Sequence, residues 1–443
     1  MLDRIKVELK EFTNYFVTNI KESTLLTVKY IVYGIYLIIL TVIANRFDLE
    51  SLTYFNAVLV LVYFSEMISY GVSSGINIYI NQNIENKEVV KKYISLGFSM
   101  CLVIASLFIL LLYFSKEFIF SQIMKVNVYD NYLFFDIMLI TIFQNIILRF
   151  FLDVLKIIKE FKYQLIITFV ESVLILIGIS AVGYFLTQNI YVIAVSYIVS
   201  YGVMLPIILY ILKNKTKRIS FSFKEIVNCV PKINIKEVYT ILSIGLKEII
   251  WNIGYTLSGI ILLNKSEILY NSYSYYENML DVVNGVYFSI ITVCSIGICN
   301  ELGKGNFAKA YKNSKYSIIM SVMIWLCMLL IYILFKGYII SGMNIEIQQI
   351  GEYIAFAYLL IQLFRYIDWL LNSYILVLGA NVKLPVILDI SGLIYFSILL
   401  YFAKYLPNNP IILILIVGSD SIIKSIINLI YFKSKKWMNT ISE

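Results

Sequence analysis

The sequence predicts an all-α polytopic membrane protein, with twelve transmembrane helices in two pseudo-symmetric six-helix lobes around a central cavity. Composition, the regular return of long apolar runs, and a pair of polar junctions that recurs in both halves of the chain predict it. Of 443 residues, 60% are hydrophobic and 14% charged, and the mean hydropathy is +0.82. Soluble domains run about 45 to 50% apolar and about 25% charged. Apolar runs fall at 24–45, 53–82, 93–115, 132–158, 163–186 and 190–212, and again at 237–263, 269–300, 314–335, 350–378, 385–403 and 410–432. A crossing takes about 20 helical residues, so these runs use most of the chain and leave no separate soluble domain.

In chain order, residues 1–22 come first. Leu2, Ile5, Leu9, Phe12, Phe16 and Ile20 recur at helical spacing with Arg4, Lys6, Glu8, Lys10 and Glu11 between them, which reads as an amphipathic interfacial helix. Acids interrupt every turn, unlike the unbroken apolar core of a secretory signal. Residues 23–213 form the first lobe, 214–236 a basic cytoplasmic linker with Pro231, 237–432 the second lobe, and 433–443 a cytoplasmic tail. With both termini in the cytoplasm, the outer loops hold only Arg46, Lys116, Lys125, Lys265, Lys336 and Lys404, and the other loop cations fall inside. By the positive-inside rule this fixes a multi-pass orientation in the plasma membrane. The net charge of +8 then reports topology, not a nucleic-acid partner.

The repeat lies in the junctions. NQNIENKEVVKKY at 81–93 closes the second crossing and NELGKGNFAKAYK at 300–312 the eighth; KEFKYQL at 159–165 and ANVKLPV at 380–386 follow the fourth and tenth. An even number of crossings separates the copies, so the halves share one orientation about an axis along the membrane normal. A substrate path is expected between them.

Much enzyme chemistry is excluded because the chain has no histidine. Gly71, Ser73 and Gly75 match the G-x-S-x-G nucleophile elbow, but no histidine base exists and the motif sits at a helix end, where small residues serve close helix packing. Gly303, Lys304 and Gly305 lack the spacing and the terminal Ser or Thr of a phosphate loop, so no ATP site is expected. Cys101, Cys229, Cys294, Cys299 and Cys327 are scattered and form no disulfide or metal pattern. No cofactor and no metal are expected, and a monomer is.

Ionisable residues inside spanning helices are costly and mark candidate sites. Glu248, Glu277, Asp281 and Asp368 together read as an acidic pocket of the second lobe, the cation-coupling candidates; Glu66, Asp153 and Glu171 are secondary candidates in the first. Such acids could exchange protons, or with Asn252, Asn284 or Asn372 offer oxygens to a sodium ion. The plainer reading is that Arg149 pairs with Asp153, and Arg365 with Asp368, along single helix faces. Lys29, Arg149 and Arg365 could alternatively bind a phosphate. Tyr270, Tyr273, Tyr275 and Tyr276 could hold an organic cation, although tyrosine is also enriched in interfacial belts.

The junctions carry a family resemblance. GVSSGINIYINQNIENKEVVKK at 71–92 resembles the end of helix two in the multidrug and toxic compound extrusion (MATE) family of the MOP superfamily: Gln82 is kept, Asn81 replaces a serine, and Glu85 and Asn86 replace a Gly-Ala turn. GICNELGKGNFAKAYKNS at 297–314 is similar through Gly303, Gly305 and Ala310, and LGANVKLPVILDISG at 378–392 through Asn381, Lys383 and Pro385, with Val377 where the family has arginine. The resemblance spans the chain. It implies a secondary exporter, coupled to H+ or Na+, that moves an amphiphilic small molecule, drug or peptide outward by alternating access of two lobes. A flippase for a lipid-linked oligosaccharide or other lipid-linked precursor is the alternative. The family's helix-one acid is absent from 28–45, and its helix-seven and helix-ten acids fall nearer Tyr255 and Tyr366 than Glu248 and Asp368. With Lys29, Arg149, Asn252, Asn284 and Arg365, these tyrosines complete the substrate-cavity candidates.

Overall fold

A computed structural model describes residues 2–44, 49–118, 132–178, 190–216, 221–228, 234–341, 345–378 and 382–438. Every element described is helical. In the first half these are α1 (Leu2–Ala44), α2 (Leu49–Gln82), α3 (Lys87–Phe118), α4 (Tyr132–Ile157), α5 (Phe161–Ile177), α6 (Ile190–Asn214) and the short α7 (Phe223–Asn228). The second half has α8 (Ile235–Lys265), α9 (Glu267–Gly303), α10 (Phe307–Ser341), α11 (Ile345–Asp368), α12 (Lys383–Tyr401) and α13 (Pro410–Lys433). Among the described residues, nine helices are long and apolar enough to cross a membrane. The chain is a polytopic α-helical membrane protein.

The punctuation is local chemistry. Ser266 caps α9 by accepting from the Leu269 N–H at 3.3 Å, and Asn409 caps α13 from the amides of Ile411 and Ile412 just ahead of Pro410, whose missing N–H costs nothing at a first helical position. The junction after α9 turns on Gly305 at φ +74°, a conformation with no steric cost for glycine. α11 does not end at Asp368: a π-helical stretch, Trp369–Ile375, and a 3-10 turn, Leu376–Leu378, carry it on.

The chain forms two compact units, Val28–Gly245 and Met1–Thr27 with Leu246–Glu443. In the first, α4 packs against α2, α3, α5 and α6; in the second, α11 packs against α9, α10 and α13. The partner pattern repeats: second, third and sixth helices of each half pack on the fourth. The glycines of the G-x-S-x-G match serve packing, since a Cβ on Gly71 would stand 2.7 Å from Gly245 Cα and one on Gly75 2.8 Å from Ile241 Cα.

These units divide differently from the segments read off the loops. Residues 1–22 are not a separate interfacial helix; they continue into the first crossing within α1 and dock on the second unit. There Phe12, Tyr15 and Phe16 pack against Ile290, Cys294 and Met320, Tyr15 and Ser317 share a 3.0 Å hydrogen bond between their hydroxyls, and Glu11 pairs with Lys312. Phe12 and Phe16 of the apolar face are covered by this contact, while Leu9 and Ile20 stay exposed. The linker 214–236 belongs with the first unit because α7 docks on α3. The Ser95 hydroxyl donates to the Ile226 carbonyl at 2.6 Å, the Phe98 and Phe223 rings meet edge-on at 5.7 Å, and Lys91 pairs with Glu225 at 3.3 Å.

Candidate functional site

The first unit holds a cavity of about 420 Å³, within the range of small-molecule sites. Lys29, Tyr30 and Tyr33 of α1, Glu66, Met67 and Tyr70 of α2, Arg149, Leu152, Asp153 and Lys156 of α4, and Gln164 of α5 line it. Arg149 is its electrostatic centre. Its Nε donates to Glu66 Oε1 at 3.0 Å and to Asn145 Oδ1 at 3.1 Å, and its fork meets Glu171 at 2.7 and 3.3 Å. Planar guanidinium geometry suits such bidentate bonding, and a buried arginine is tolerated only when so compensated. Asp153 is held by Lys156 at 2.8 Å and by the Ser73 hydroxyl at 2.8 Å. Lys29 lies 4.5 Å above the Tyr30 ring and, among the described residues, has no carboxylate at ion-pair distance.

In the second unit the same region is filled. Buried Lys247 meets Glu248 at 2.7 Å and Asp389 at 3.5 Å, and Lys424 meets Asp389 at 3.1 Å and Asp420 at 2.9 Å. The Asn372 amide donates to both Asp389 oxygens at 3.0 Å. Gly392 admits this cluster, since a Cβ there would stand 2.5 Å from Lys424 Nζ. Among the described residues, an opening of about 30 Å³ lies beside Trp251, Tyr255, Arg365 and Trp369, room for one or two waters. One turn away, Arg365 pairs with Glu277 at 3.3 Å, donates to the Tyr273 hydroxyl, and lies 5.5 to 5.8 Å from the rings of Tyr255, Tyr273 and Tyr358. Tyr255 donates to Glu277 at 2.5 Å.

Asp368 stands apart. It is 2% exposed, it ends α11 where the π-helix begins, and its described partner is the Asn428 amide, which donates to it at 2.8 Å.

Several sequence expectations are corrected here. Arg149 does not pair with Asp153, nor Arg365 with Asp368; each arginine instead reaches a glutamate on another helix. Glu248, Glu277 and Asp368 do not share an acidic pocket, because Lys247 takes the first, Arg365 and Tyr255 the second, and Asn428 the third. The side chain of Asp281 lies outside the described residues. Among the described residues no group of three or more acids or cysteines could hold a metal ion. Asn252 donates to the Glu248 carbonyl of its own helix at 2.8 Å, and Asn284 accepts from Tyr366 at 2.9 Å and Gln362 at 3.1 Å. Tyr366 is stacked 4.0 Å from Tyr287. Asn284 and Tyr366 are buried and hydrogen-bonded to each other. Lys29, Arg149, Glu66 and Asp153 do line the first-unit cavity, with Glu171 behind Arg149. Lys156 and Gln164 were missed there, and Asn428 was missed as the partner of Asp368.

Two units with one packing scheme, one with a described cavity and one with a buried cluster of side-chain ion pairs, define a repeat-built polytopic membrane protein. Its fold is that of the MATE transporters of the MOP superfamily. No family model and no curated protein matches the sequence, yet solved structures match nearly the whole chain. A mutant of the Vibrio cholerae MATE transporter VcmN superposes with TM-score 0.80 at 13% identity, covering 96% of this chain and 98% of that one. A multidrug resistance MATE family transporter of the MOP superfamily in its outward-facing conformation gives 0.79 at 14%, covering 94% and 96%. A MOP superfamily transporter from Pyrococcus furiosus, described as having a binding pocket of reverse polarity, gives 0.78 at 13%, covering 94% and 96%.

Proposed function

We propose that the chain is a secondary active exporter of MATE type, with Asp368 as the coupling acid and the first-unit cavity as the place of an amphiphilic cargo. The observation that carries this is the isolation of Asp368. Glu66, Asp136, Asp153, Glu171, Glu248, Glu277, Asp389 and Asp420 each have a lysine or arginine between 2.7 and 3.3 Å away. Asp368 has an amide. A lone carboxylate buried in a spanning helix is costly when charged, so it favours uptake of a cation. With one amide and, among the described residues, no second acid in contact, these surroundings support a proton over a caged sodium ion. The π-helical stretch that follows is a feature that recurs at functional sites. In everted vesicles, Asp368→Asn is expected to abolish dye efflux driven by a pH gradient while leaving the protein folded; unchanged gradient-driven efflux would remove Asp368 from the mechanism.

One observation favours a second reading. Arg149 and Lys156 have carboxylates at ion-pair distance within the first-unit cavity, but among the described residues Lys29 has none, and an anionic head group would complete its pairing. On this reading the protein flips a lipid-linked precursor. Phosphate-bearing lipid copurifying with the wild-type chain and lost in Lys29→Gln would favour the flippase; organic-cation efflux unaffected by Lys29→Gln would favour the exporter.

A further inference from the structure

Away from both sites, the ammonium groups of Lys315 and Lys435 lie 4.7 and 5.0 Å from the centroid of one ring, that of Tyr311. Both lysines are exposed, and among the described residues neither has a carboxylate at ion-pair distance. On the same helix, by contrast, Lys309 is paired with Glu301 at 2.7 Å and Lys312 with Glu11. Each cation gains modestly from an exposed ring face, but two like charges gathered on one ring repel. A bound anion would offset that repulsion.

The floor of the arrangement is built. Tyr311 stacks on Phe432 at 5.1 Å and Phe432 on fully buried Trp437 at 5.7 Å, so a column of three rings ties the start of α10 to the end of α13. Past α13 the chain turns sharply. Lys435 takes φ +61°, a left-handed conformation that non-glycine residues adopt at a cost. Its N–H donates to the Phe432 carbonyl at 3.2 Å, as does the Trp437 indole at 3.3 Å, and the Ser434 hydroxyl accepts from the Lys436 amide at 3.4 Å. This turn is what brings Lys435 to the ring. The long lysine stems leave both ammoniums free to converge on one group.

The pair stands where α10 begins and α13 ends, the face that the loop cations assign to the cytoplasm, beside the ends of two apolar helices long enough to cross a membrane. The anion in excess there is a phosphodiester. We propose that Lys315, Tyr311 and Lys435 form a binding site for the phosphate of an anionic phospholipid of the inner leaflet. Two unpaired cations discriminate in favour of a net negative head group, as juxtamembrane basic clusters do.

The full chain, reconstituted in nanodiscs of mixed phosphatidylglycerol and phosphatidylcholine, tests this by native mass spectrometry of the lipid that stays bound. Wild type is expected to retain phosphatidylglycerol preferentially, and Lys315→Gln with Lys435→Gln to lose that preference by about tenfold or more. The Lys315→Arg, Lys435→Arg pair should restore it, and Lys309→Gln should leave it unchanged. Retention in wild type should fall as salt rises from about 0.05 to about 0.5 M. Equal retention of the two lipids, no effect of the double glutamine variant, insensitivity to salt, or displacement by excess inorganic phosphate would each overturn the proposal.

Discussion

Arg149 and Arg365 occupy equivalent places in the two halves. Each lies on the fourth long helix of its half, reaches a glutamate on the second, Glu66 at 3.0 Å or Glu277 at 3.3 Å, and is faced by a tyrosine of the first, Tyr33 at 5.9 Å or Tyr255 at 5.5 Å. The duplication shows that the pair is part of the repeated unit. Removing one member of a buried ion pair costs about 3 to 5 kcal/mol because the partner keeps an uncompensated charge. Arg149→Ala should therefore lower stability by about that amount in thermal unfolding in detergent, and combining it with Glu171→Gln should recover part of the loss. Strictly additive losses would show that the two groups act independently. The charged residues themselves were legible in the sequence, since each interrupts an apolar run. Their partners were not: Glu66 and Glu277 lie 83 and 88 residues from their arginines, whereas the pairings expected from spacing were three and four residues away. Laying one half of the chain over the other would have found the Glu-and-Arg pattern on second and fourth helices.

Among the elements, the long helices follow the apolar runs closely; the run at 132–158, for instance, became Tyr132–Ile157. Two elements were not legible. The π-helical Trp369–Ile375 carries no glycine or proline to announce it and reads as ordinary helix. The short α7 lies in a polar linker, where hydropathy is silent, and only a capping box marks it. The Ser222 amide donates to Glu225 Oε2 at 2.6 Å, and the Glu225 amide donates to the Ser222 hydroxyl at 3.3 Å. The Ser222 amide and hydroxyl, with Lys91, hold the Glu225 carboxyl below its ordinary pKa. A depressed carboxyl contributes stability above the ordinary range and loses it as pH falls through the depressed value. Amide protection of residues 223–228 should thus be greater in wild type than in Glu225→Gln at about pH 7, and the difference should shrink as the pH falls below the ordinary carboxylate range of about 4. A difference that persists in acid would assign the anchoring of α7 to the Phe98–Phe223 and Ser95–Ile226 contacts alone.

For the whole molecule, the repeat was visible in two pairs of junctions, and the packing scheme of each unit follows it. The cluster in the second unit was not visible, because it depends on Lys247 of α8 and Lys424 of α13 both closing on Asp389 of α12. The cluster and the first-unit cavity predict opposite responses to added bulk. Met67→Trp in the open unit should block cargo binding, read as lost dye efflux, with stability changed by less than about 1 kcal/mol. Gly392→Ala in the filled unit should cost about 1 to 3 kcal/mol, since Lys424 and Asp420 must retreat from each other's reach. Equal effects at both positions would mean that the units are equally packed. The paired arginines also bear on how the chain is made. Synthesis runs at about 5 to 20 residues per second, so Glu66 leaves the ribosome about 4 to 17 s before Arg149 exists to meet it. During that wait the newborn hairpin must stay beside the insertion machinery or carry its acid protonated into lipid. Assembly of each half is thereby set to close on its fourth helix, and biogenesis itself then holds the Glu and Arg in place.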